Sequence, residues 1–333
     1  MRSIAIVLPV FNDWQSAVQV AAELRSELNQ NAPAVEVALF VVDDGSTEMA
    51  RPEDLSAFRE SKVVLVHLPG NVGHQRAVVA GIRRAVEGNP DYVLVMDADG
   101  EDRPDAVVSL IDRARHLPES VVVAKRGARF ESAAFRTLYI AHKLLFRMLV
   151  GQSLDFGNFV LLPRSAAKRI SQMPEASSHL ASAILKSRLS IQRVTVDRGH
   201  RHFGESKMNM EQLISHSFSS LSIFTERIMV RLVIFSFFAT LVSALAAAVV
   251  IAVRFFSDSA TPGWATAALG LLIVFSLQFL SFAGLGTLIT LNVATLRDHL
   301  KGSHPGPKAT GDMPHGETSG SRRGERALQD AEE

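Results

Sequence analysis

Apolar and polar positions divide the chain into two regimes. In the first, the runs IAIVLPV, VEVALFVV, KVVLVH, YVLVM and SVVVAK recur with amphipathic or Ala-rich stretches between most of them. Strands that are apolar on both faces belong in a sheet covered by helices on both sides, so this βαβ rhythm predicts an α/β domain with a mostly parallel sheet. Ligands of such sheets bind beyond the carboxyl ends of the strands. Asp13, Asp43, Asp44, Asp97 and Asp99 all fall where an apolar run ends, so the pattern predicts an acidic rim.

In the second regime, Leu232–Val253 and Trp264–Leu296 carry no charge, and each is long enough to cross about 30 Å of hydrocarbon. Two spanning helices are predicted. Arg227 and Arg231 precede the first and Arg297 and Lys301 follow the second, while the connector RFFSDSATPG holds Arg254 against Asp258. Basic flanks mark the cytoplasmic side, so both ends, the α/β domain and the tail are expected there. Ala133–Val150 and Met208–Met229 place Phe, Leu, Ile and Met at helical spacing among basic or hydroxyl residues, as helices lying in a lipid interface do. After Lys301 the chain is rich in Gly, Ser, Pro and charge with no apolar period, which predicts disorder. The resulting division is an α/β domain over 1–208, an interfacial helix over 209–228, two transmembrane helices within 229–297 and a tail over 298–333.

A net charge of +1 over 333 residues argues against a surface built to neutralise nucleic-acid phosphates. The absence of Cys excludes disulfides, thiolate metal sites and a cysteine nucleophile. The N-terminal MRSIAIVLPVFND has a short apolar run followed at once by Asn12 and Asp13, which reads as a first strand and not as a signal peptide.

Asp97-Ala98-Asp99 ends the run YVLVM and is followed by Gly100 and Glu101. Carboxylates two apart at a strand exit can share a hard cation, and Mg²⁺ or Mn²⁺ held so keeps positions open for diphosphate oxygens. Two acidic residues at a strand exit are also common turn-formers and helix caps. That alternative explains one pair but not two, and Asp43-Asp44, followed by Gly45-Ser46-Thr47, is a second. A carboxylate there can accept from a base N–H or ribose hydroxyls.

With these residues in view, Pro9-Val10-Phe11-Asn12-Asp13, Val42-Asp43-Asp44-Gly45-Ser46, Asn71-Val72-Gly73-His74, Asp97-Ala98-Asp99 and Arg201-His202-Phe203-Gly204-Glu205-Ser206-Lys207 stand in the order found in family 2 glycosyltransferases. The chain resembles the dolichyl-phosphate mannose synthase and polyprenyl-phosphate glycosyltransferase branch, because the Arg-x-x-Gly-Glu-Ser-Lys element lies shortly before the two apolar runs. The resemblance implies a GT-A fold and inverting transfer of a sugar from a nucleotide diphosphate to a polyprenyl phosphate. It also implies that Asp13, Asp43 and Asp44, with Pro9, Gly73, His74 and Asp97 nearby, hold the donor, and that Asp97, Asp99 and Glu101 serve the metal. Arg126, Arg201, Ser206 and Lys207 would meet donor diphosphate or acceptor phosphate. Asp155 would position the acceptor, since a phosphate monoester is already anionic and can attack without a base. Asp99, Asp155 and Arg126 are thus the expected catalytic set. Val160 and Met208 stand where relatives commonly have Arg and Tyr.

Competing classes fare worse. No G-x-G-x-x-G turn follows the first strand, no Walker A sequence is present, and neither Trp14 nor Trp264 lies in the Gln-x-x-Arg-Trp context of processive synthases. A catalytically silent nucleotide-sugar domain that recruits partners to the membrane remains the contrasting reading, against which the complete acidic set stands; a different lipid or glycan acceptor is the other. Gly284-x-Gly286 in the second apolar run raises the expectation of a homo-oligomer.

Overall fold

The computed structural model describes residues 1–48, 50–51, 62–126, 133–203, 210–256 and 263–302. Met1–Thr290 form one compact unit and Leu291–Glu333 a second, of which the described part is helical.

The strands among the described residues are β1 (Ser3–Val10), β2 (Glu36–Asp43), β3 (Val63–His67), β4 (Tyr92–Val95), β5 (Val121–Arg126), β6 (Val160–Pro163) and β7 (Ile191–Val196), in the order β3-β2-β1-β4-β6-β5-β7. All neighbours pair in parallel except β6, which runs antiparallel to both β4 and β5. The first five are the expected runs. β6 and β7 lie outside that expectation for different reasons: β6 enters antiparallel between β4 and β5, outside the βαβ rhythm, and β7 is an edge strand with exposed polar positions.

Helices α1 (Trp14–Asn31) and α3 (Pro104–His116) cover one face of the sheet, and α2 (His74–Glu87) covers the other. The period of two in β1 divides the core accordingly. Ile4, Ile6 and Leu8 join Val20 and Leu24 of α1 and Leu110 and Ile111 of α3, whereas Ala5 and Val7 join Val78 and Ile82 of α2. A Cβ at Gly81 would lie 2.4 Å from Val7 Cγ1, so glycine there lets α2 lie directly on β1. This close seating carries the amino end of α2 to the carboxyl ends of β1 and β2.

The chain continues through α4 (Ala133–Val150), α5 (Arg164–Ser171), a 3₁₀ turn (Pro174–Ser177), α6 (Leu180–Lys186), α7 (Met210–Ser222), α8 (Thr225–Phe256) and α9 (Trp264–Gly302). α4 leaves Ile140, Leu144 and Met148 exposed, and α7 leaves Phe218 exposed. The sequence pattern continued that second helix to Met229, but the helix ends at Ser222 and a new one starts at Thr225. Ile223 and Phe224 turn inward to the core, and the hydroxyls of Ser220, Ser222 and Thr225 bond back to the carbonyls of Ser217, Ser219 and Ser222, competing with the helical ladder.

α8 and α9 are long and apolar enough to cross a membrane, and their apolar side chains are mostly exposed instead of packed into the domain. Gly286 of α9 packs on Met229 and Val233 of α8, so this glycine is occupied inside the hairpin and is not part of a free face. The arginines in the first turns of α8, ahead of its apolar run, have structural partners. Arg231 Nη1 donates to the carbonyls of Met148 and Leu149 at 2.9 Å each, and Arg227 Nη1 donates to that of Val150 at 3.3 Å. They satisfy carbonyls that the end of α4 leaves without helical partners, tying α4 to the start of α8.

Candidate active site

β2, β1 and β4 are neighbours with parallel register, so their exit loops emerge side by side; Val10 and Asp43 are register partners. Pro9 is buried within β1 opposite Val42 and shapes the strand end. Asn12, at φ 53°, laces the first two exits. Its Oδ1 accepts from the amides of Thr47 and Glu48 at 2.9 and 3.0 Å, its Nδ2 donates to Thr47 Oγ1, and its own N–H donates to Ser46 Oγ. Asp13 follows, accepting from Ser16 Oγ at 2.5 Å.

The adjacent Asp43 and Asp44 are used differently. Asp43 accepts from Ser46 N at 2.9 Å and meets His67 Nδ1 at 3.1 Å. Burial pushes its carboxyl up, but the Ser46 and His67 interactions together outweigh this and hold it below the usual value. Asp44 is 3% exposed and accepts from Val72 N at 2.8 Å on one oxygen and from Gly73 N at 3.0 Å on the other. It therefore clamps the loop before α2 onto the end of β2. Gly45, at φ +67°, runs so close to that loop that a Cβ would lie 2.3 Å from the Gly70 carbonyl carbon.

Beyond β4, Asp97 donates its backbone N–H to the buried Asp102 at 2.9 Å and sets its Oδ1 3.3 Å from His74 Nε2, at the start of α2. Asp99 Oδ1 accepts from Glu101 N at 2.9 Å, and its Oδ2 accepts from Arg201 Nη2 at 2.7 Å. Glu101 pairs with Arg198. Backbone bonds from Gly199 to Glu101 and from His202 to Asp99 fold the segment after β7 over this loop. Burial first, and then the charge of Asp97, push Asp99 up despite the nearby Arg201. For His74, burial opposes the charged form, but Asp97, Asp44 and Asp99 outweigh it and raise the imidazole.

The structure thus brings Asp43, Asp44, Gly73, His74, Asp97, Asp99, Glu101 and Arg201 to the strand exits. Asp155 is engaged elsewhere, receiving Arg193 Nε of β7 at 3.0 and 3.2 Å on its two oxygens. Arg126 ends β5 opposite Val196 of β7. Ser206 and Lys207 lie outside the described residues. Sequence reasoning missed Asn12, Asp102, Arg193 and Arg198 as parts of this architecture; Asp102, in the acidic run DADGED, carried the clearest signal.

Among the described residues no three His, Asp or Glu side chains stand as a ready metal cage. Asp99 and Glu101 turn to arginines, and Asp97 faces His74. The donor set nevertheless fits a hard divalent cation. Three carboxylates share one loop, and burial and then the charge of Asp97 raise Asp99 above its usual value, a penalty that added positive charge would relieve.

Residues 5–170 match the family model described as Glycosyl transferase family 2, and the chain carries a domain of that family. Among similar proteins, YkcC of Bacillus subtilis strain 168, an uncharacterized glycosyltransferase, is 27% identical over 83% of this chain and 83% of its own length. The undecaprenyl-phosphate 4-deoxy-4-formamido-L-arabinose transferase of Pectobacterium carotovorum is 24% identical over 86% of this chain and 87% of its own. A crystal structure of glucosyl-3-phosphoglycerate synthase from Mycobacterium tuberculosis, with Mn²⁺, UDP-glucose and phosphoglyceric acid, superposes with a TM-score of 0.51 at 19% identity over 68% of this chain and 80% of that one. The domain has the expected GT-A-like architecture.

Proposed function

We propose that this chain is a membrane-anchored glycosyltransferase that moves a sugar, with inversion, from a nucleotide diphosphate to a polyprenyl phosphate at the cytoplasmic face. The observation that carries the reading is an acidic rim with arginines folded over it, in the same compact unit as the exposed apolar α8 and the part of α9 up to Thr290. The undecaprenyl-phosphate transferase among the relatives supports the acceptor class, and the Mn²⁺ and UDP-glucose of the structural neighbour support the donor class.

In this reading α8 and α9 span the bilayer and the apolar sides of α4 and α7 lie in its interface, over the ranges the sequence divides. Asp13 and Asp43 hold the nucleoside, while Asp44 holds the loop that presents Gly73 and His74. Asp97 and Asp99, with Glu101, would hold Mg²⁺ or Mn²⁺. When bound, the cation supplies charge for the departing nucleoside diphosphate. Arg201 and Arg198, now on carboxylates, would bind phosphate oxygens once a cation takes over those carboxylates. Arg126, Ser206 and Lys207 add phosphate contacts, and Asp155 would position the acceptor through the Arg193 that it holds. An acceptor phosphate oxygen forms the bond to the anomeric carbon as the bond to the diphosphate breaks on the opposite side; no proton need be removed from the acceptor.

The test is transfer of radiolabelled sugar from a panel of UDP- and GDP-sugars into organic-extractable product by the full chain with undecaprenyl phosphate. It is run with Mg²⁺, Mn²⁺ or EDTA, and with Asp99→Ala alongside. One donor giving a metal-dependent lipid product that Asp99→Ala fails to make supports the proposal. Nucleotide-sugar binding without any product would favour the silent scaffold.

A further inference from the structure

Next to the rim, a hydrogen-bond chain has its direction set from one end. Leu180 N–H, at the start of α6, can only donate, and it donates to Gln75 Oε1 at 2.7 Å. The amide of Gln75 is thereby oriented, and its Nε2 donates to Asn158 Oδ1 at 3.2 Å. Asn158 must then present its Nδ2, which stands 2.9 Å from His74 Nε2. An arriving N–H needs a lone pair, and in a neutral imidazole a lone pair on Nε2 places the proton on Nδ1.

Asp97 Oδ1, 3.3 Å from the same Nε2, makes the opposite demand, for an N–H. The contact from Asn158 is shorter and cannot reverse without setting two donors against each other at Gln75. A cation on Asp97 would also weaken the competing demand. Among the described residues His74 Nδ1 has no hydrogen-bond partner, and the side chain is 45% exposed beside Asp44, Asp97 and Asp99.

We infer that Gln75 and Asn158 are positioning residues, an amide relay from the amino end of α6 that fixes the His74 ring with its proton on Nδ1, aimed at an oxygen of the nucleotide-sugar donor. The donor-facing part rests on the proposed function; the relay does not. Gln75 touches neither His74 Nε2 nor the acidic rim in the hydrogen bonds described, so its influence passes through Asn158. The relay also satisfies an amide that α6 would leave without a helical partner, which couples the seating of α6 to the geometry of the ring.

The experiment reads the ring directly. Full-length protein with ¹⁵N-labelled histidine, in detergent with Mg²⁺ and taken to alkaline pH until the ring is neutral, because against burial Asp97, Asp44 and Asp99 raise His74 above its ordinary value, gives long-range ¹H–¹⁵N spectra that distinguish the two tautomers; His74→Gln assigns the signal. The native ring is expected to carry its proton on Nδ1. Gln75→Glu puts an acceptor against Asn158, whose amide turns and offers Oδ1 to the ring, so the proton moves to Nε2. Asn158→Asp offers an acceptor directly and moves it as well. With the donor that the native chain uses, each variant raises KM about fivefold, the worth of one neutral hydrogen bond, with a smaller change in kcat.

A native ring protonated on Nε2, or variants that leave the tautomer unchanged, overturns the relay. A switched tautomer with unchanged KM overturns the donor-facing role. A chain that transfers no sugar refutes the proposed function, while the ring spectrum still decides the relay; the native spectrum does so even where a variant fails to fold.

Discussion

Asp44 provides the sharpest stability prediction, because family likeness places it at the nucleotide whereas its geometry gives it structural work. Both carboxylate oxygens are committed, to Val72 N at 2.8 Å and Gly73 N at 3.0 Å, and the residue is 3% exposed. A hydrogen bond to a charged group contributes about 1.5–3 kcal/mol net, so Asp44→Ala removes roughly 3–6 kcal/mol. Val72 and Gly73 are only half-buried, and water can reach part of the vacated loop; about 3 kcal/mol, at the low end, is the expected loss. For an α/β domain of about 200 residues that lowers the melting midpoint by roughly 6–12 °C. The assay is thermal unfolding in detergent followed by tryptophan fluorescence in a Trp264→Phe background, so that Trp14, bonded to Glu48 beside the β2 exit, reports alone. Asp44→Asn keeps one acceptor and falls between Asp44→Ala and the native chain. An Asp44→Ala midpoint within about a degree of native, where the estimate requires several, would refute the clamp.

Three further outcomes follow from the same structure. His179 caps α6 by accepting from Ser182 N and stacks on His216 with ring centroids 4.5 Å apart, and burial, aided by the charge of His216, pushes it down to about 3. A histidine depressed in the folded state loses stability as pH falls below its unfolded value near 6.5, until its folded value is reached, so His179→Asn, which keeps a cap, should flatten the melting-temperature profile between about pH 6.5 and 3. Arg231→Ala frees the carbonyls of Met148 and Leu149, and hydrogen exchange in the last turn of α4 should accelerate about tenfold, equivalent to about 1.4 kcal/mol; unchanged exchange would show that α4 does not depend on α8. Gly45→Ala meets both a positive φ and the Gly70 carbonyl carbon and should cost about 2–5 kcal/mol in a denaturant melt, whereas Gly70→Ala, with nothing within 4 Å, should be nearly neutral.

Strand identity was legible where burial on both faces wrote itself as a continuous apolar run within the βαβ rhythm, as in β1, β2 and β4, but not in β6, which is apolar and buried throughout yet stands outside that rhythm. β6 and β7 escaped because their strand character depends on neighbours: β6 is a short antiparallel insertion between β4 and β5, and β7 is an edge that alternates with polar residues. Asp43, Asp97 and Asp99 could be placed at the rim because strand ends converge in a parallel sheet. Their partners could not, since Arg201 reaches Asp99 and Arg198 reaches Glu101 across about a hundred residues of chain, a pairing that no local pattern encodes. Gln75 and Asn158 were silent for the same reason, as amides carry no periodic signal and gain direction only when Leu180 fixes one end. The arginines in the first turns of α8 show the converse. They were legible as a topological signal, yet in the folded chain they bond the end of α4.

The central claim is that the acidic rim serves a lipid phosphate at the membrane. Its most direct measurement is mass spectrometry and nucleotide release on proteoliposomes that contain the full chain and undecaprenyl phosphate, supplied with Mg²⁺ and the sugar nucleotide selected from the donor panel. The account predicts one nucleoside diphosphate released per lipid phosphate converted to its glycosyl phosphodiester, and no release from vesicles that lack the lipid. Nucleotide release that proceeds equally without the lipid, or sugar recovered only in water-soluble products, would contradict it.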